Sequence, residues 1–504
     1  MLTDLTLPDG VTLDTTVPPR WAVFGNYAIL VNTPSTPLTI DAFGTVRPLV
    51  PKAPAVAPVV SAGGAGGLTG TYGGLRYTYV IKDAIGNVIA ESGFSPPSNT
   101  VTIAASKLRV TGVTTSSEPI SARRVYRPTS NGAVLFPWLD IDGNTVTEVQ
   151  DDLADALLSL VAAPELGNPP RLVLIKEWRD LLWGVGDINH DLLVASAPGF
   201  PYAWLDSNTI AIPGTGRDQF GIRSLMPRRE ALGVGRRDII WQVTGTTFDD
   251  FRAVKLSENT GIESNESMVI YRDTVWWLWK DGVYQWDDNG IVNIAERGGV
   301  KSWFATNSYF NRDLFPISFA VFDPVRLKYR LYLAGAGSLK VDHWVEYDVE
   351  NNTWWGPHKT DAFDPTCAFV FSDDEDKVEA VAGSEDAFIW KEQDAANDGE
   401  TFGIPVDLDT CFYDMSTPDL EKYWGQLSMV GKVQAKGVLN ITPKTGYLDA
   451  ASQAPISYDM TKGRQRLRRL GSGKLMQMNW QHGTKDEPVE LYNFMLPYHI
   501  LGRR

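Results

Sequence analysis

The side chains able to do acid–base or metal chemistry in this chain are seldom grouped as such chemistry requires. Three carboxylate groupings come closest: Asp249-Asp250, Asp287-Asp288 and the run 373–376. Paired acids across a sugar linkage, with Arg or Tyr nearby, are what glycoside hydrolysis requires. All three groupings fall in segments that read as turns, where Asp is favoured because it hydrogen-bonds its own backbone. The box S-x-D-x-G-x-x-W, used by one class of sugar-cleaving enzymes, is not met, since Ser384-Glu385-Asp386 runs to Trp390 without the glycine. His190, His343, His358, His482 and His499 show neither HxH nor HExxH spacing, so they form no metal-ligand pair. There is no GxSxG elbow, no P-loop and no GxGxxG opening a helix. Cys367 and Cys411 are too few for a disulfide framework or a four-ligand zinc site, and each reads as a single buried thiol. These patterns assign no catalytic residue, no cofactor and no metal ligand.

Two basic segments stand out against an acidic whole, whose formal charge is −15. In 462–474, KGRQRLRRLGSGK, period-two alternation along a strand puts Arg464, Arg466 and Arg468 on one face, with Arg469 beside them. Arg217, Arg223, Arg228, Arg229, Arg236 and Arg237 form a looser group. Three readings are open: a solvated face, docking on an acidic patch of a neighbouring subunit, or contact with DNA. The strand of Arg464, Arg466, Arg468 and Arg469 is taken as the candidate subunit interface. Net acidity argues against a nucleic-acid binder that works by neutralising phosphates. An acidic surface would instead suit a channel through which DNA slides without sticking.

The elements that must carry these residues are strands. In 273–290, DTVWWLWKDGVYQWDDNG, strands 274–279 and 283–286 flank Lys280-Asp281-Gly282, and Asp-Gly between apolar runs is a strong hairpin signal. Similar hairpins are expected at 171–185, 230–244 and 328–349. They fall roughly 40–55 residues apart, the spacing of four-stranded propeller blades. The 17 tryptophans suit the wedges between such sheets.

The sequence divides into a polar, Pro-rich arm and strand pair over 1–50, which joins the propeller, and a Pro/Gly/Ala linker over 51–74. The linker includes Gly63-Gly64-Ala65-Gly66-Gly67. Six or seven short alternating strands over 75–152 fit an immunoglobulin- or fibronectin-like sandwich. A helical spacer is expected over 153–170, with Leu153, Leu157 and Leu160 on one face after Asp151 and Asp152. Blades follow over 171–395, then C-terminal strands over 396–504 that complete the propeller or form a tail-tip β region. The fold class is all-β: a β-propeller body with an inserted β-sandwich. The first residues lack the basic and apolar regions of a secretory signal, and no apolar run reaches membrane-spanning length.

In order, these segments resemble the tail hub or nozzle proteins of short-tailed double-stranded DNA phages, also called tail stabilisation or tail tubular proteins. The resemblance is carried by Asn26–Val31 (NYAILV) with Pro37–Asp41 (PLTID), by YTYV at 77–80 with FSPPS at 94–98, and by ARRVYR at 122–127. It continues through INHDLLVASAP at 188–198, the 273–287 hairpin, AVFDP at 320–324, and VEYDV at 345–349 with Thr353-Trp354. It implies a structural virion protein of the tail, assembled in the host cytoplasm and without enzymatic activity. It further implies a homohexameric ring that closes and then conducts the DNA exit channel during genome ejection. The partners implied are the head-to-tail adaptor, tail fibre or spike proteins, and double-stranded DNA passing through the lumen without sequence-specific binding. Two alternatives remain: a carbohydrate-binding or carbohydrate-cleaving propeller with Trp276, Trp277 and Trp354 stacking on sugars, or another virion subunit in a baseplate or decoration role.

Overall fold

The structure is a computed structural model describing every residue except 1–4, 9–10, 15–16, 33–35, 84, 165, 215–220, 361–363, 373–377, 387, 392–396, 399–401, 404–405, 411, 447–450, 485–488 and 503–504. Turn chemistry sets its commonest unit. Arg179 and Asp180 have φ of 55° and 58°, and Arg272 and Asp273 have φ of 46° and 68°. Two consecutive left-handed residues make the hairpin turn whose twist matches that of the strands it joins. The described chain is all-β, with helix confined to short turns such as Ile294–Arg297 and Lys301–Ala305. It forms two compact units: Met1–Asn307 with Phe315–Phe319, and Ser308–Leu314 with Ala320–Arg504.

The first unit opens with an antiparallel sheet in chain order, Arg20–Phe24, Tyr27–Val31, Leu38–Ile40 and Val46–Pro48. Three further four-stranded meanders are propeller blades. The first is Leu172–Trp178, Leu181–Gly186, Leu192–Ala197 and Phe200–Ala211. The second is Ser224–Pro227, Leu232–Gly235, Ile240–Thr244 and Arg252–Ser257. The third is Val269–Tyr271, Thr274–Trp279, Gly282–Asp287 and Gly290–Asn293. The strand Leu172–Trp178 packs against both Arg20–Phe24 and Ser224–Pro227, so the leading strands lie side by side.

Aromatic and aliphatic wedges fill the space between successive sheets. Ile29, Val31 and Leu49 of the N-terminal sheet and the segment after it meet Leu172, Ile175, Leu182 and Trp204 of the first blade. Trp178 and Trp183 meet Leu232, Val243 and Phe251 of the second. Met226 and Ile240 meet Val275, Trp277 and Trp286 of the third. An aromatic ring buried in this way contributes roughly 4–6 kcal/mol before the entropy of ordering is subtracted.

A sandwich lies between the N-terminal sheet and the first blade in sequence. One sheet has the order Phe136–Asp142, Ala122–Arg127, Arg76–Lys82, Val88–Glu91; the other has Glu148–Asp151, Val101–Thr111, Val59–Tyr72. Between them Tyr77, Tyr79, Val125 and Trp138 face Val60, Leu68, Ile103 and Leu108.

Two expectations need correction here. The stretch 51–74 is not a linker throughout, because Val59–Tyr72 is a long strand paired antiparallel with Val101–Thr111. Its glycines let the partner approach: a Cβ on Gly66 would fall 2.7 Å from the Lys107 backbone nitrogen. The register slips at Ala62/Ala65 and again at Ala65/Leu68, which is how so Gly-rich a segment stays in a sheet. The helical spacer over 153–170 is also absent among the described residues of that stretch. Only a 3₁₀ turn, Asp155–Leu157, forms; Leu158 is buried while Leu157 and Leu160 face solvent. Asp155 is held by Arg127 and by the Ser130 backbone N–H, contacts that favour a turn over a helix start.

The second unit contains a fourth meander, Phe319–Asp323, Lys328–Leu333, His343–Asp348 and Thr353–Lys359, of which Phe319 itself belongs to the first unit. A three-stranded sheet follows, Pro365–Ser372, Val378–Ser384 and Ile389–Lys391. The C-terminal strands then close on one another. One sheet centres on Val438–Thr445 and Met476–His482, the other on Glu421–Gly431 with Arg464–Gly473 and Leu491–Met495. Trp424, Met429, Ile441, Tyr458, Met476 and Met478 form their shared core, so these strands build a body of their own rather than completing a blade.

Candidate functional site

The basic strand, Arg464–Gly473, is the terminal strand of its sheet, hydrogen-bonded along one side to Glu421–Gly431. Leu467 and Leu470 anchor it in the C-terminal core. Arg464 lies opposite Val430, Arg466 opposite Ser428 and Arg469 opposite Gln426, with the register slipping between the last two pairs. That slip is a bulge at Leu467-Arg468, and it corrects the expected face. Simple alternation would have placed Arg464, Arg466 and Arg468 together. The extra residue resets the phase, so Arg464, Arg466 and Arg469 share the outward direction while Leu467 and Leu470 point in. Arg468 bends back, donating to the Ala454 carbonyl at 2.6 Å.

All four arginines are exposed. Among the described residues none of them is paired with a carboxylate, although Lys462 close by pairs with Asp459 at 3.2 Å. An edge strand offers unpaired backbone groups, and a row of like charges prevents the same edge of a second copy from adding to it. Such a row is complementary in charge to an acidic surface.

The second group of arginines is placed differently. Arg217 lies outside the described residues. Arg223 pairs with Glu263 at 3.4 Å. Arg236 is almost wholly buried, donating to the Ile212 carbonyl at 2.8 Å and to Asp191 at 2.5 Å. Arg228 donates to Asp273 at 3.0 Å and Asp288 at 2.7 Å. Arg223, Arg228 and Arg236 thus fasten one element to the next rather than forming a solvated face or a docking patch, while Arg229 is exposed.

Sequence reasoning missed a related device at the hairpin turns. Arg179 sits 4.9 Å from the ring centre of Trp178, Arg272 5.2 Å from Tyr271, and Lys280 5.4 Å from Trp279. Each is an aromatic–basic–Asp triplet, Trp178-Arg179-Asp180, Tyr271-Arg272-Asp273 and Trp279-Lys280-Asp281, and that repeat was the available signal. From these turns Arg179 reaches Glu230 at 3.6 Å, and Lys280 pairs with Asp238. Trp178 and Trp279 donate their indole N–H groups to the Arg228 and Arg237 carbonyls. Successive blades are thus clipped in both directions along the chain.

The two described carboxylate groupings lie at turns. Asp250 caps the Thr246 and Thr247 backbone N–H groups, and the Thr247 hydrogen bond foremost pulls its carboxyl down to about 2. Asp287 accepts from the Asn289 N–H, and Asp288 serves Arg228. The run 373–376 lies outside the described residues. Trp276 and Trp277 are buried rather than exposed, so these two offer no stacking surface for a sugar; Trp354 is half-buried and packs on Tyr347 with ring centres 5.1 Å apart. Cys367 is exposed rather than buried, and Cys411 is outside the described residues. No group of His, Cys, Asp and Glu among the described residues could hold a metal ion, and no described helix is long and apolar enough to cross a membrane.

No protein-family model and no curated protein matches the sequence. Solved structures overlap it loosely. Hsv2 of Kluyveromyces lactis is 9% identical over 56% of this chain and 67% of its own, with a TM-score of 0.27. PorZ, a surface component of the type-IX secretion system of Porphyromonas gingivalis, is 9% identical over 95% and 74%, at 0.28. A fungal alcohol oxidase in complex with copper is 8% identical over 87% and 98%, at 0.30. Likeness this loose carries nothing about activity, and the blade assignment rests on the sheet order itself.

Proposed function

We propose that this chain is a structural subunit of a short-tailed phage tail, a nozzle or hub that assembles into a ring around the DNA exit channel. The observation that carries the reading is the exposed edge strand with Arg464, Arg466 and Arg469 on a chain of net charge −15. A basic edge repels its own copy, which disfavours a two-fold contact through this strand. It meets a different, acidic face of the next copy, and such heterologous contacts close into rings. The clipped, wedge-packed blades make a body able to bear load without rearranging. The order of segments resembling tail hub proteins supplies the virion context, the six-fold number and the partners: adaptor, fibres or spikes, and DNA passing through the lumen. The role is mechanical, with acidic surface left facing the lumen to keep the phosphate backbone from sticking.

Negative-stain electron microscopy of the purified protein, alone and with its adaptor, tests this. Rings with a central hole are expected. Monomers at every concentration, with the adaptor present, would contradict it.

A further inference from the structure

A cavity of about 140 Å³ opens beside the leading strands of the N-terminal sheet and the first two blades. Arg20, Trp21, Lys176, Leu225, Asn265 and Glu266 line it. Its polar groups are unbalanced. Arg20 donates through Nε to Glu266 Oε1 at 2.9 Å and through one terminal nitrogen to the Val173 carbonyl at 2.7 Å, leaving its other terminal nitrogen unspent. Asn265 Nδ2 donates to the same Glu266 oxygen at 3.0 Å. That contact fixes the amide, because turning it over would set its oxygen against the carboxylate. Asn265 Oδ1 is then buried with no hydrogen-bond partner. The Lys176 ammonium has no hydrogen bond or ion pair with any described residue. Burial pushes it below the usual lysine range, with Glu266 opposing and Arg20 adding to the effect.

Two cations and one carboxylate leave the cavity one positive charge in excess, together with an acceptor that needs a donor. A ligand that satisfies both has a charged oxygen for Lys176 and Arg20, and an O–H for Asn265. Sulfate and the diester backbone of DNA lack that O–H and would leave Asn265 Oδ1 unmet, which weakens their binding. We propose that this cavity binds a small oxyanion that still carries a hydroxyl, either hydrogen phosphate or a short hydroxycarboxylate. Lys176 and Arg20 hold the charged oxygens, and Asn265 accepts from the hydroxyl.

Titration calorimetry on the full chain at neutral pH tests this with inorganic phosphate and lactate, against sulfate and acetate. Saturable binding of phosphate or of lactate is expected, about tenfold or more tighter than its hydroxyl-free counterpart. Saturation by only one of the two assigns the source. Lys176→Met removes the excess charge and loses binding, and its near-UV circular dichroism matches the parent. Should that variant not fold, Asn265→Asp decides, because a second carboxylate in the cavity abolishes binding. The proposal is overturned by no saturable heat from phosphate or lactate at millimolar concentration. It is equally overturned by sulfate binding as tightly as phosphate, or by Asn265→Asp binding like the parent.

Discussion

The guanidinium of Arg228 lies 4.7 Å from the ring centre of Trp286, in the next blade, while its nitrogens reach Asp273 and Asp288 of that same blade. One side chain therefore joins a hydrophobic wedge to two turns. Arg228→Ala is expected to destabilise the first unit by about 2–3 kcal/mol, since it removes a partly desolvated cation–π contact and charged hydrogen bonds together. Arg228→Lys recovers less than half, because an ammonium cannot present the same fork. Urea unfolding followed by tryptophan fluorescence measures both.

The wedge itself is tested at Trp277, which is fully buried and donates its indole N–H to the Gly261 carbonyl at 2.8 Å. Trp277→Ala should cost about 3–5 kcal/mol. Trp277→Phe should cost less, because it keeps most of the volume and loses the hydrogen bond. Equal costs for the two would mean that volume is not what the site requires.

Glu346 gives the second unit an acid-sensitive joint. Burial opposes its charge, but Arg330 at 2.8 Å and Lys328 prevail and hold the carboxyl below its usual range. The unfolded chain then binds the proton more readily than the folded one. The stability this pair contributes is present above the unfolded value and is lost as pH falls through the folded value. Glu346→Gln should destabilise by about 3 kcal/mol at neutral pH. Thermal melts should show the gap between variant and parent closing in acid.

Glu91, in the sandwich, has the opposite sign. Burial foremost raises its carboxyl above the usual range, outweighing Thr78, Tyr126 and Arg124. Folding here favours the protonated acid, so its contribution is full below the unfolded value and is lost as pH rises through the folded one. Glu91→Gln should flatten that loss in the melting temperature of the sandwich. An unchanged slope would show that Glu91 is ionised throughout.

What could be read from the sequence was local. Lys280-Asp281-Gly282 between Trp-rich runs named its hairpin, and the recurrence of such turns named an all-β chain with blades. What could not be read depended on a partner elsewhere. Gly66 looks like a linker residue until Lys107 is seen to press against it. Arg228 and Arg236 look like surface charge until their carboxylates, distant in sequence, arrive. The bulge at Leu467-Arg468 changed which arginines share a face, and a period-two pattern carries no mark of an extra residue. Lys176, Asn265 and Glu266 had no motif at all; a strand and a 3₁₀ turn some ninety residues apart in sequence bring them to one cavity.

The central claim is that the basic edge joins one copy to the next. Sedimentation velocity on the parent and on the triple variant Arg464→Glu, Arg466→Glu, Arg469→Glu tests it most directly. The account predicts a ring-sized species for the parent. It predicts a monomer for the variant with unchanged far-UV circular dichroism, since exposed charge changes rarely unfold a protein. The same ring-sized species in both samples would contradict it.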